Sequence, residues 1–163
     1  MKYTNGANDA GFAVLLAADD LDSVAELRHS LQESHILRRL VLVRNGEEAL
    51  AYLLGDGKYT HRVAYPFPNV VFVDCRLPML SGLGLLCWLR SEPRFERVPV
   101  VMLSNALSQQ QVESLTRLHA ASCSKTSPSD KILEAITRSV RLALGSEIEA
   151  EPLQLASSAY ERV

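Results

Sequence analysis

Asp74 ends the apolar run Val70-Val71-Phe72-Val73 and opens the segment Asp74-Cys75-Arg76-Leu77-Pro78-Met79-Leu80-Ser81-Gly82. A carboxylate at the end of a buried strand, followed by a loop punctuated by Pro and Gly, sits where open α/β sheets place reactive groups. The arrangement recurs. The run Phe12 to Ala18 ends in Asp19-Asp20, the run Val98 to Leu103 ends in Ser104, and the short run from Ala121 is closed by Lys125. Asp19 and Asp74 offer the hard oxygens that a magnesium-sized cation prefers. A lysine beside a carboxylate pairs with it as a point charge and can meet an incoming phosphate oxygen, to which a serine hydroxyl can also hydrogen-bond. Such a set suffices to move a phosphoryl group onto Asp74, because that transfer needs mainly positioning and charge neutralisation. Singly, each residue has a plainer role: Asp19 as a helix cap, Ser104 as a hydroxyl bonded to backbone, Lys125 as a solvated lysine. Jointly, at successive strand ends, they make a site.

The elements that must position them follow from periodicity. Phe12 to Ala18, Ile36 to Val43, Val70 to Asp74, Val98 to Ser104 and Ala121 to Ser124 read as strands. Between them, Val24, Leu27 and Leu31 mark a helix entered through Asp20-Leu21-Asp22-Ser23, which offers cap residues. Gly46 to Leu54 is a second helix, stopped by Gly55 and Gly57. Leu83 to Arg90 is a third, ending before Pro93, and Ser108 to His119 a fourth. A fifth runs from Pro128 to Leu144 on the stripe Ile132, Ile136, Val140 and Leu144. The long loop Asp56 to Asn69 carries Tyr59, Tyr65 and Phe67, which predicts that it packs on the body. Strands alternating with helices imply a doubly wound α/β fold, a five-stranded parallel sheet with helices on both faces. Three segments result: an N-terminal tail 1–11, one domain 12–144, and an acidic C-terminal tail 145–163 that is disordered or a short docked helix.

Bulk properties narrow the function classes. The 163 residues are 47% hydrophobic and 22% charged, enough for one globular core, and the formal net charge of -2 gives no reason to expect nucleic acid. The pair Arg38-Arg39 reads as solvated. No apolar run approaches the ~18 residues of a membrane span, and residues 1–11 lack the apolar stretch of a signal peptide. Cys75, Cys87 and Cys123 are odd in number and show no CxxC spacing, which suits reduced thiols in a cytoplasmic protein. His29, His35, His61 and His119 have no ligand-like spacing.

The chain resembles the response-regulator receiver domains, the CheY-like fold, from about Phe12 to Leu144. The resemblance rests on Asp19, on Asp74 with Leu77-Pro78 and Gly82, on Ser104 after Val100-Val101-Met102-Leu103, and on Lys125. Gly46-Glu47-Glu48-Ala49-Leu50, Gly57-Lys58-Tyr59 and Pro66 look more particularly like the single-domain regulators paired with bacterial phytochromes. The resemblance implies strand order 2-1-3-4-5 and phosphorylation of Asp74 by the phosphohistidine of a sensor histidine kinase or a phosphotransfer protein. It implies Mg2+ held by Asp19, Asp74 and the backbone carbonyl of Arg76, with Ser104 and Lys125 on the phosphoryl group. It further implies partner contacts, including a homodimer, through the fourth helix, fifth strand and fifth helix.

Two positions depart from the family pattern. The acidic pair aligns with Ala18-Asp19, so the first acid is missing and magnesium binding should weaken; a one-residue shift would instead make Asp19-Asp20 the pair. Ser122, three residues before Lys125, stands where relatives often carry a switching aromatic. These departures motivate an alternative, a binding module that works without phosphorylation. A phosphatase of the haloacid-dehalogenase type is disfavoured because Arg76 occupies the position of its acid/base carboxylate, and the chain lacks a Gly-rich loop for flavin or nucleotide after the first strand. A phosphoacceptor signalling domain, at most slowly self-dephosphorylating, is the expectation rather than an enzyme.

Overall fold

The computed structural model describes residues 12–34 and 37–144. Ile36, both predicted tails and the side chain of Leu144 therefore lie outside the described residues. The strands are β1 (Phe12–Ala17), β2 (Leu37–Val43), β3 (Val70–Asp74), β4 (Val100–Leu103) and β5 (Ala121–Cys123). They form one parallel sheet in the order β2-β1-β3-β4-β5. The helices are α1 (Ala25–Glu33), α2 (Gly46–Leu54), α3 (Gly82–Ser91), α4 (Gln109–Arg117) and α5 (Ser129–Leu144), with a 3-10 turn at Gly57–Thr60.

The sheet is buried on both faces because alternate residues of each strand supply separate cores. Leu15, Val71, Val73, Val100 and Met102 pack with Ala49, Leu53, Leu85, Leu86, Leu89 and Leu115 of α2, α3 and α4. Leu16, Phe72, Val101 and Leu103 pack with Leu27 and Leu31 of α1 and with Ile132, Ile136 and Val140 of α5. No helix among the described residues is long and apolar enough to cross a membrane.

Several element ends differ from the sequence expectation, each for a local reason. The helix α1 starts at Ala25 without a side-chain cap. Asp20 instead closes the preceding turn: its Oδ1 accepts the Asp22 N–H at 3.0 Å, and Ser23 Oγ donates to its carbonyl at 2.8 Å. The strand β4 starts at Val100 rather than Val98, because Pro99 has no N–H to give the ladder. Its carbonyl still accepts from Val71 at 2.9 Å. The helix α3 starts at Gly82, capped by the Ser81 hydroxyl, and gives way to extended backbone at Glu92, the residue before Pro93.

The long loop does pack on the body. Tyr59 is buried, its ring 4.9 Å from Tyr52 and 5.0 Å from Tyr65, and its hydroxyl donates to Glu48 Oε1 at 2.6 Å. Arg62 donates to the Tyr52 and Leu53 carbonyls at the end of α2. Burial pushes the Tyr52 hydroxyl up to about 12. Burial works against the Glu48 carboxylate, yet the bonds from Tyr59 and from the Arg44 N–H, with the charge of Lys58, outweigh it and hold Glu48 below its usual range. Truncating Tyr59 to Ala should lower the urea unfolding free energy by about 3 kcal/mol through the cavity left. Tyr59→Phe removes only the hydrogen bond and should cost about 1 kcal/mol.

Candidate functional site

Asp74 is the last residue of β3 and is 5% exposed. A carboxylate taken this far from water requires a partner for each oxygen. It has them. Lys125 Nζ lies 2.6 Å from Oδ2, and the backbone N–H of Arg76 donates to Oδ1 at 2.9 Å. The Lys125 and Asp74 side chains are 16% and 6% exposed, so solvent screens this pair far less than a surface ion pair.

Lys125 is placed by a residue that the sequence reading passed over. Asn105 Oδ1 accepts the Lys125 backbone N–H at 3.2 Å and the Ser124 hydroxyl at 3.1 Å. One side chain of the β4–α4 loop thus fixes the end of β5. Ser104, immediately before it, donates its backbone N–H to Cys123 at 3.1 Å. The Ser104 hydroxyl is engaged locally, donating to the Ala106 carbonyl and accepting from the Ala106 N–H, both at 3.3 Å. That is the plainer of its two expected roles, and these bonds are long.

The loop after Asp74 is held by two helix N-termini that approach closely. A Cβ on Gly82 would lie 2.4 Å from the Asp74 carbonyl oxygen, and one on Gly46 would lie 2.3 Å from the Leu80 carbonyl oxygen. The Gly46 N–H also donates to the Pro78 carbonyl at 3.3 Å. Gly46 was legible only as part of a motif; a glycine in a first helical turn with no turn to serve is the signal of such an approach. Met79 within the loop has φ 70° and is 70% exposed. Cys75 is half-buried against the core beneath α2 and α3, on the face opposite Asp74, and burial followed by the Asp74 charge pushes its thiol up.

Asp19 is exposed at the carboxyl end of β1, the strand beside β3. The β1–β3 register pairs Ala17 with Val73, so the next step in the ladder sets Ala18 level with Asp74. Ala18 is 1% exposed and its N–H donates to Val43 at 3.0 Å. Asp20 spends a carboxylate oxygen on its own turn. Among the described residues no group of three or more His, Cys, Asp or Glu gathers as a metal cage. A magnesium-type ion does not need one, since it binds through one or two carboxylates and retained waters. The oxygens of Asp19, Asp74 and the Arg76 carbonyl are of the hard donor type such an ion takes, with one carboxylate fewer than a paired-acid site.

A parallel α/β sheet in the order β2-β1-β3-β4-β5, with an acid and a lysine paired at its carboxyl rim, defines a class of signalling domain. Residues 14–137 match the response regulator receiver domain, and the chain belongs to that family. It is 29% identical over 106 residues to the response regulator Rcp1 of Synechocystis sp. (strain ATCC 27184 / PCC 6803 / Kazusa), covering 65% of this chain and 70% of Rcp1. The bacteriophytochrome response regulator RtBRR superposes with a TM-score of 0.70 at 27% identity, covering 93% of this chain and 90% of that one. The bacteriophytochrome response regulator AtBRR gives 0.70 at 26% identity, covering 86% and 99%. A Mn2+-bound form of Rcp1 shares the fold at 24% identity, with a TM-score of 0.63 over 86% of this chain and 99% of that one.

Replacing Lys125 by Ala leaves the buried carboxylate with its backbone partner alone and should cost about 3 kcal/mol of unfolding free energy. The double variant Asp74→Ala/Lys125→Ala should recover much of that loss. Urea titrations of the single and double variants at neutral pH measure both.

Proposed function

We propose that this chain is a stand-alone two-component response regulator that accepts a phosphoryl group on Asp74 and signals through a changed partner-binding surface. The observation that carries the reading is the Lys125–Asp74 pair at 2.6 Å, shielded from solvent at the carboxyl end of β3. In the transfer, an Asp74 carboxylate oxygen attacks the phosphorus of a phosphohistidine. A P–O bond forms, the P–N bond breaks, and the imidazole nitrogen keeps the electron pair. The donor is a sensor histidine kinase or a phosphotransfer protein.

Lys125 shifts from pairing with a carboxylate to pairing with the phosphoryl oxygens, a change its flexible ammonium tolerates. Ser104 gives up its long bonds to Ala106 and donates to the phosphoryl group. Asp19, Asp74 and the Arg76 carbonyl would hold Mg2+, which supplies charge neutralisation on the transferred oxygens. Two relatives support this chemistry in their own right: Rcp1 is described in a Mn2+-bound form and RcpA, a cyanobacterial phytochrome response regulator, in a phosphorylated form. The site belongs in the cytoplasm, where sensor kinases present their phosphohistidines. Partner contact, including a homodimer, falls on the face of α4, β5 and α5. Arg76 leaves no second carboxylate to activate water, so hydrolysis of the acyl phosphate is slow.

Acetyl phosphate with Mg2+ should retard the wild-type chain on a Phos-tag gel and leave Asp74→Asn unshifted. An unshifted wild-type band, under conditions that modify an ordinary receiver, would favour the phosphorylation-independent binding module instead. Ala18→Asp restores the missing acid level with Asp74. It should tighten Mg2+ by about ten-fold in calorimetry, because carboxylate–cation attraction at short range exceeds the partial desolvation of the new acid. Unchanged or weaker binding would place the ion away from β1.

A further inference from the structure

The ammonium that meets Asp74 hangs from a part of the chain that does little to hold itself. The strand β5 has three residues, lies at the edge of the sheet and pairs with β4 alone. The segment that follows it, Ser124-Lys125-Thr126, has no proline to fix a backbone angle. The lysine stem is itself flexible. Two bonds within this stretch, from the Ser127 N–H at 3.2 Å and the Cys123 thiol at 3.3 Å, reach only the Ser124 carbonyl and tie the segment to no other element. A Lys125 Nζ held 2.6 Å from a buried carboxylate oxygen therefore needs an anchor elsewhere.

That anchor is one oxygen. Ser104 carries the β4–β5 ladder a step past β4 by donating its N–H to the Cys123 carbonyl at 3.1 Å. The next residue, Asn105, then reaches β5 with its side chain, accepting the Lys125 N–H at 3.2 Å and the Ser124 hydroxyl at 3.1 Å on the same Oδ1. Counting hydrogens fixes the directions. A backbone N–H only donates, so the amide must turn its oxygen, not its nitrogen, toward Lys125. Ser124 has one hydroxyl hydrogen, and Asn105 takes it. The Thr126 hydroxyl, 3.2 Å from Ser124 Oγ, must then donate to that oxygen, as the Thr126 N–H does at 3.4 Å. All three residues are tied to Asn105 Oδ1, directly or through Ser124. The Asn105 side chain is exposed and belongs to neither core, so its only printed bonds are to this segment.

The geometry points to Asn105 as a positioning residue for phosphoryl transfer: its Oδ1 holds the Lys125 backbone so that the ammonium is in place when the phosphoryl oxygens arrive at Asp74. The role presupposes that Asp74 is the phosphoacceptor, and it works through Lys125 rather than through contact with the reacting atoms. The oxygens proposed for Mg2+, those of Asp19, Asp74 and the Arg76 carbonyl, come from β1, β3 and the loop after β3. Losing the anchor should therefore slow transfer without weakening the metal.

The test follows the rate of labelling by acetyl phosphate on Phos-tag gels, over a series of Mg2+ concentrations, for the full chain and for Asn105→Ala and Asn105→Asp. At saturating Mg2+, Asn105→Ala should label about ten-fold more slowly, because a small misplacement of a positioned group is costly in rate. Its half-saturating Mg2+ concentration and its urea midpoint should stay at the wild-type values. Asn105→Asp keeps an oxygen for both donors but has no amide hydrogens. It should recover most of the rate at an ionic strength that screens its added charge. An Asn105→Ala variant that labels at the wild-type rate would overturn the role. So would an Asn105→Asp variant as slow as Asn105→Ala, which would assign the effect to a direct contact by the amide nitrogen. A slower Asn105→Ala whose Mg2+ dependence or urea midpoint shifts as well would also overturn it, by making the loss a general structural one. A wild-type chain that takes no label sinks the phosphoacceptor reading and this role together, whereas a labelled wild type with an indifferent Asn105→Ala sinks the role alone.

Discussion

The structure turns on one buried charge. Asp74 ends β3 inside a parallel sheet covered on both faces, where an unpaired carboxylate would be unstable or protonated. It is accommodated there because a lysine from another strand end and a backbone N–H from its own loop meet its two oxygens. Each partner imposes a demand. Lys125 must be delivered across β4 from β5, which fixes how that strand ends. The Arg76 N–H must turn back toward the carboxylate two residues earlier, which fixes the loop before α3.

The second demand explains the tight packing on the side of α2 and α3. Both helices begin with a glycine pressed on the carbonyls of the Asp74–Leu80 loop, where any Cβ would collide with backbone. Helix N-termini carry partial positive charge and free N–H groups. Bringing two of them against this loop satisfies carbonyls such as that of Pro78 and fixes the path of the backbone after Asp74.

Sequence legibility followed the range of the interactions. The runs of β1, β3 and β4 are apolar without interruption because both faces are covered, and they read directly as central strands. The strand order followed from the family resemblance alone. The start of α1 did not, because Asp20, Asp22 and Ser23 have the composition of a cap but spend their bonds on one another in a preceding turn. The start of β4 was placed early because an apolar run conceals the missing donor of Pro99. Asp74 and Lys125 could be proposed from strand ends, yet their 2.6 Å contact is a product of the whole sheet. Asn105 was illegible for the same reason: its bond to Lys125 spans 20 residues, and an asparagine in a loop has many local uses.

Asn105 also bears on how a signal could leave the rim. Ser122, three residues before Lys125, has no ring that could rotate to report the state of Ser104. The structure instead offers a polar connection. Ser104 is held by two long bonds to Ala106, whereas the adjacent Asn105 grips Ser124 and Lys125 at the end of β5. Long hydrogen bonds are cheap to exchange, and a phosphoryl oxygen is a stronger acceptor than the Ala106 carbonyl. On the proposed reading, Ser104 turns toward the phosphoryl group and the backbone of 104–106 must follow, carrying the Asn105 amide with it. Lys125 is drawn toward the same group from the other side. The Asn105 bonds to Ser124 and Lys125 then have to stretch or re-form, and the strain falls on the β4–α4 loop and the edge strand β5. On that reading the coupling runs through the loop and needs no aromatic rotamer.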